Sequence, residues 1–207
     1  MSKPRRSAGS WRDRQERDPY VQQARRDGWR SRAVYKLEQI NEKERFLRPD
    51  MLIVDLGSAP GSWSQYATER LKGRVRIVAV DLLRMDAIPG VEFIQGDFTD
   101  NQVYEQLCEA IGDGKADLVM SDMAPNITGT KSVDQPRSMY LVELALDMAR
   151  RLLRPGGSFI CKLFQGEGFD ALVKDARRSF ERVRVMKPAA SRAGSREVYL
   201  VARNYRL

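Results

Sequence analysis

Apolar residues along this chain fall into short blocks, and the spacing within each block separates helices from strands. Ala33, Val34, Leu37 and Ile40 recur at helical intervals, with Ser31 before them as a candidate cap. Beyond Pro49 the pattern changes to brief runs rich in Val, Ile, Leu and Phe, which predict strands at 51–56, 74–82, 91–97, 116–122, 157–164, 182–187 and 196–203. Helices are predicted between them at 62–71, 100–111, 136–153 and 168–180, the third opening at Pro136 and closing before Pro155-Gly156-Gly157. Strand and helix in alternation predict an α/β fold whose mostly parallel, seven-stranded sheet is covered by helices on both faces. Only a short loop joins 182–187 to 196–203, so the C-terminal strand is expected to run antiparallel at one end of the sheet. Residues 1–18 lack periodicity and read as a flexible basic arm, leaving 19–207 as one domain with an N-terminal helical extension.

Composition narrows the chemistry. The 207 residues suffice for one cored domain, 42% are hydrophobic and 31% charged, and no apolar run approaches the roughly 20 residues that span a bilayer. With no secretory signal, a cytoplasmic protein is expected, with no membrane partner. There is no histidine, which removes Ser-His-Asp and Cys-His nucleophiles, His-ligated zinc and imidazole acid-base chemistry. Cys108 and Cys161 stand alone, so neither a disulfide framework nor a metal site is expected.

Charge is unevenly spread. Residues 1–36 carry a net +7, residues 171–207 another +7, and the middle a net −6. If the fold joins the two ends, Arg5, Arg6, Arg25, Arg26, Arg30, Arg32, Arg192 and Arg196 form a positive face suited to a polyanion such as RNA. Trp29 and Tyr199 could stack a splayed base there or simply pack. A solvated tail and a charged helix are the plainer alternative.

The first predicted strand runs into Asp55-Leu56-Gly57-Ser58-Ala59-Pro60-Gly61-Ser62-Trp63, where an open α/β sheet binds a nucleoside cofactor. A dinucleotide fingerprint would need glycine in place of Ala59 and Ser62, so S-adenosylmethionine, which has no phosphate, fits better. Asp81 follows as an acceptor for ribose hydroxyls, Asp97 for the adenine amino group, and Asp122 near the methionine end. Any one Asp after a strand reads as a turn residue. Four of them, Asp55 included, together with Gly57 and Gly61, point to a cofactor edge.

Lys162 interrupts the apolar run 159–164, where an unpaired ammonium is costly. Asp122 ends the preceding parallel strand, and Glu197 begins an antiparallel one at the same sheet edge. The three ionisable groups are therefore expected to converge beside the methyl donor.

The segments SRAVYKL (31–37), DLGSAPGSWSQY (55–66), SDMAPN (121–126), PRSMYLVELAL (136–146), FQGEGF (164–169) and SREVYLVA (195–202) resemble the FtsJ/RrmJ family. That resemblance implies a Rossmann-like methyltransferase fold and S-adenosylmethionine-dependent 2′-O-ribose methylation of a uridine in 23S ribosomal RNA of the large subunit, by a monomer. It adds Lys36 to a catalytic tetrad of Lys36, Asp122, Lys162 and Glu197, and it places cofactor contacts on Gly61, Trp63, Asp81, Asp97 and Asp122. The rival expectations are a 2′-O-methyltransferase of transfer RNA and an RNA-binding ribosome-assembly factor of the same fold.

Overall fold

The computed structural model describes residues 16–125 and 128–206, so Arg5, Arg6 and most of the basic arm lie outside the described residues. Helix α1 (Pro19–Asp27) is one that the apolar pattern does not announce, because Ala24 is its only buried residue. Its signals are at the ends. The Asp18 carboxylate accepts a hydrogen bond from the Tyr20 N–H at 3.1 Å, Pro19 opens the first turn, and Gly28 closes the last at φ 78°. Helix α2 (Val34–Glu44) buries Val34, Leu37 and Ile40 as the spacing predicts. Ser31 is not its cap: the hydroxyl sits 2.6 Å from that of Ser62 and shapes the preceding turn, while Ala33 holds the cap position.

The alternation then proceeds as β1 (Met51–Leu56), α3 (Ser62–Arg70), β2 (Val75–Asp81), β3 (Val91–Gln95), α4 (Asn101–Ile111), β4 (Ala116–Ser121), α5 (Lys131–Leu152), β5 (Leu153–Phe164), α6 (Phe169–Ser179), β6 (Phe180–Met186) and β7 (Glu197–Tyr205). The sheet order is β3-β2-β1-β4-β5-β7-β6. All pairings are parallel except those of β7, which inserts antiparallel between β5 and β6. Strand order reverses between β1 and β4, the position where an open α/β sheet leaves a crevice beyond its carboxyl ends. One core fills the face under α4, α5 and α6, and a second fills the face under α1, α2 and α3.

Most elements fall within two residues of the expected bounds, and three of the differences have a physical reason. Helix α5 starts at Lys131, five residues before Pro136. The Asp134 carboxylate fastens this extra turn by accepting from the Thr128 N–H and hydroxyl, both at 2.8 Å, and from the Gly129 N–H at 2.9 Å. Strand β5 begins at Leu153, directly after α5, and takes up Pro155-Gly156-Gly157 where its register against β4 shifts. Asp97 does not close β3: the strand ends at Gln95, and Asp97 lies in the turn beyond, accepting from the Thr99 N–H at 2.9 Å.

Glu44, at the end of α2, is a carboxylate with 2% side-chain exposure that takes hydrogen bonds from Arg182 at 2.8 Å and Arg184 at 3.1 Å. It ties the N-terminal helices to the last strands of the sheet.

Candidate active site

The turn after β1 is built for close approach. Gly57 stands at φ 70°, and a Cβ there would lie 2.0 Å from Met123 Cγ. Gly61, at φ 102°, opens α3 where a Cβ would come within 2.8 Å of both Met85 and Ile88. Arg30 staples this turn to the one after β2, donating to the Pro60 carbonyl at 3.0 Å, Asp86 at 2.7 Å and Ala87 at 2.8 Å. Asp81 locks the arrangement by accepting from the Ala59 N–H at 2.8 Å and the Leu83 N–H at 2.7 Å.

These turns and that after β4 enclose a cleft of about 610 Å³, with Asp81, Asp97 and Asp122 on its wall. Leu82, Leu83 and Tyr140 also line it and are 60–68% exposed, leaving apolar surface open to a flat ring. Among the described residues lining the cleft there is no Lys or Arg. Apolar walls, carboxylate acceptors and the lack of a cation fit a positively charged, phosphate-free nucleoside and not a dinucleotide diphosphate. Asp55 lies deeper, with Asp122 and Ser58, around a cavity of about 40 Å³. Its carboxylate accepts from the Ser64 hydroxyl at 2.7 Å, and burial pushes its pKa up to about 7, with Asp122 and Asp81 adding to the rise. The Ser58 hydroxyl beside it is buried without a hydrogen-bond partner, an orphan that a polar ligand atom would satisfy.

Gly61 and Trp63 do not line the larger cleft. Trp63 is 3% exposed, donates its indole N–H to the Ala33 carbonyl at 2.9 Å and packs on the Tyr199 ring at 5.8 Å.

The expected convergence at Lys162 is present. Its Nζ lies 3.0 Å from Asp122 Oδ1, 2.9 Å from the Asp122 backbone oxygen and 3.8 Å from Glu197 Oε2. Register explains the meeting: β5 and β7 pair Lys162 with Tyr199 and Phe164 with Glu197, which puts residue 197 at the carboxyl end of β5. Lys36 arrives from the first turn of α2, with Nζ 2.7 Å from Glu197 Oε1. The two lysines shift in opposite directions. At Lys162 burial lowers the pKa, but Asp122 and Glu197 outweigh it and hold the ammonium above the ordinary lysine value. At Lys36 burial and the Lys162 charge prevail, and the pKa is lowered. Glu197 is disfavoured by burial but held below the ordinary carboxylate value by the two ammonium groups.

Tyr199, expected to stack a base or pack, packs. It is fully buried, donates its hydroxyl to Asp122 Oδ1 at 2.6 Å, and has its pKa raised by burial and by Asp122. Ser191 donates to Glu197 at 2.9 Å; nothing in the sequence marks either contact beyond the neighbourhood of Glu197.

A second cavity, of about 310 Å³, opens outside Lys162, between Lys36, Glu197, Phe164, Arg32 and Arg192. Ala124 borders both cavities, and the Lys162–Asp122 pair stands at their junction. Arg32 and Arg192 share the Asp18 carboxylate, the second at 3.2 Å, and Arg32 also donates to the Ala190 carbonyl. The expected basic face is thus partly structural: Arg30 staples loops, Arg196 donates to the Gln165 carbonyl at 3.1 Å, and Trp29 packs on Tyr66 at 6.1 Å. Arg25 and Arg26 are exposed on α1.

A switch-point cleft edged by carboxylates, on a seven-stranded sheet with an antiparallel C-terminal strand, defines a Rossmann-like methyltransferase. Residues 29–205 match the FtsJ-like methyltransferase family, and the chain belongs to it. Ribosomal RNA large subunit methyltransferase E of Pseudomonas fluorescens is 53% identical over 206 residues, covering 100% of this chain and 98% of its own. Its counterpart in Pseudomonas aeruginosa is 59% identical over 189 residues, 91% of each chain. A crystal structure from Plasmodium falciparum, described as a ribosomal RNA methyltransferase, superposes with a TM-score of 0.78 at 34% identity, over 86% of this chain and 98% of that one.

Proposed function

We propose that the protein transfers the methyl group of S-adenosylmethionine to a ribose 2′-hydroxyl of a uridine in 23S ribosomal RNA, within the large ribosomal subunit, as a cytoplasmic monomer. The observation that carries the reading is the Lys162–Asp122 pair standing where an acidic, apolar-walled cleft meets a cation-rimmed pocket. The family, and the relatives named for large-subunit ribosomal RNA, support the substrate.

Asp81 would accept from the ribose hydroxyls of the cofactor and Asp97 from its adenine amino group, with the Leu82 and Leu83 side chains against the ring. Gly57 lets the backbone come close, and Gly61 and Trp63 hold the turn from behind. Bound there, the cofactor supplies an electrophilic methyl on a sulfonium, and the carboxylates favour its charge. The target ribose enters through the outer pocket. Lys162, held charged by Asp122 and Glu197, donates to the 2′-oxygen and turns a lone pair toward the methyl. As the 2′-hydroxyl proton passes to water at the pocket mouth, the ammonium would stabilise the negative charge left on oxygen, and that oxygen would take the methyl as the C–S bond breaks. Lys36 and Glu197 keep Lys162 in place, so most of the rate derives from positioning.

The test is transfer from labelled S-adenosylmethionine to undermethylated large ribosomal subunits, beside free ribosomal RNA and transfer RNA, followed by alkaline hydrolysis. Label in an alkali-resistant dinucleotide from the large subunit is the expected result. Label on transfer RNA alone, or cofactor binding without transfer to any RNA, overturns it.

A further inference from the structure

Strand β6 is the outer edge of the sheet, and one of its faces carries a row of cations. Arg182 and Arg184 lie two residues apart, about 6.6 Å along a strand, and point to the same side. Both reach Glu44, yet their side chains remain 47% and 59% exposed, whereas Glu44 is 2% exposed. Arg203, opposite Arg182 in the ladder, donates to the Glu44 backbone carbonyl. Burial lowers the Arg203 pKa, Glu44 opposes that, and the neighbouring Arg182 charge adds to the lowering. The sequestered Glu44 carboxylate therefore pairs with two guanidinium groups, and its backbone carbonyl holds a third. The strand leads on to Lys187, whose Nζ donates to the Ser195 and Glu197 carbonyls at the rim of the outer pocket. Arg203 lies six residues along β7 from Glu197, roughly 20 Å at strand rise. Exposed edges are commonly charged to prevent strand addition. That role does not extend to Arg203, which is not on the edge strand.

We propose that Arg182, Arg184 and Arg203 form a track for the phosphodiester backbone of the RNA that flanks the target nucleotide, leading away from the pocket along β6. The row extends the ribosomal RNA reading above and rests on it. Phosphate contacts of this kind fix register without reading sequence, and each makes binding steeper in salt. Held from behind by Glu44, the Arg182 and Arg184 side chains lose less freedom when they meet a phosphate.

The test is equilibrium binding of the full chain to a ribosomal RNA fragment containing the target loop, across a series of salt concentrations. Arg184→Gln leaves the Arg182–Glu44 contact in place, which guards against unfolding; melting temperature and S-adenosylmethionine affinity are read alongside. The expected result is RNA affinity weakened about tenfold at low salt and a log–log salt slope shallower by about 0.7 for each lost contact. Arg184→Glu should weaken binding further. Unchanged affinity and slope in both variants, with a wild type that methylates the subunit, overturn the track and leave the activity standing. A wild type that transfers no methyl to any RNA overturns the underlying reading and the track with it.

Discussion

A lysine between two carboxylates acts as a fixed positive charge, and a buried carboxylate among others acts as a proton store; the active site has one of each. Lys162→Met should abolish methyl transfer while leaving cofactor affinity within about twofold, read by single-turnover assay and calorimetry; retained turnover would remove Lys162 from the mechanism. Because Asp122 and Glu197 raise the Lys162 pKa in the fold, its contribution to stability is complete below the unfolded lysine value near 10.4 and is lost only as pH climbs through the higher folded value. Asp55 behaves in the opposite sense to most acids. Its folded pKa of about 7 lies above the unfolded value, so the native state binds the extra proton and stability falls as pH rises from about 4 to 7. The full effect is of order 4 kcal/mol. Asp55→Asn should flatten that part of the curve of melting temperature against pH, and an unaltered slope would refute the assignment.

At the scale of elements, the loops that border the cofactor cleft are held by one side chain from outside them. Arg30→Ala removes three hydrogen bonds to backbone carbonyls of two turns, at a cost of roughly 1–3 kcal/mol. Cofactor affinity is expected to drop five- to fiftyfold by titration calorimetry with the sheet intact by circular dichroism. The strands were legible because each is a compact apolar run, and the meeting of Asp122, Lys162 and Glu197 followed from parallel and antiparallel order alone. Helix α1 escaped the same reading: with only Ala24 buried it has no apolar stripe, and its evidence is the Asp18-Pro19 start and the Gly28 stop. Tyr199 was ambiguous because β7 is buried on both faces between β5 and β6, so alternation does not separate a packed ring from an exposed one. Arg30 and Arg32 were legible as charges but not as staples, since their partners are backbone carbonyls and a helix cap far away in sequence.

Across the whole molecule, Glu44 is the tie between the N-terminal helices and the final strands. Glu44→Gln leaves Arg182 and Arg184 without their counter-charge, and because both are half exposed the loss is screened to about 1–3 kcal/mol. Chemical unfolding should register it as a lower midpoint, with cofactor affinity unchanged; a fall in cofactor affinity of the same size would mean that the tie reaches the cleft. The arrangement divides labour by region. The carboxylate-edged cleft is made by the central, acidic part of the chain, and at the outer pocket Arg32, Lys36, Arg192 and Glu197 from the two basic ends meet Lys162 and Phe164 from the centre.

That division sets an order in time. During synthesis the N-terminal helices emerge with Arg32 and Lys36, and the strands β1 to β4 follow with the carboxylates of the cleft. Glu197 waits for β7, which joins β6 to β5 and brings the carboxylate to Lys36 and Lys162. A chain that stops before β7 thus has the walls of the cleft but not the carboxylate that pairs with both lysines.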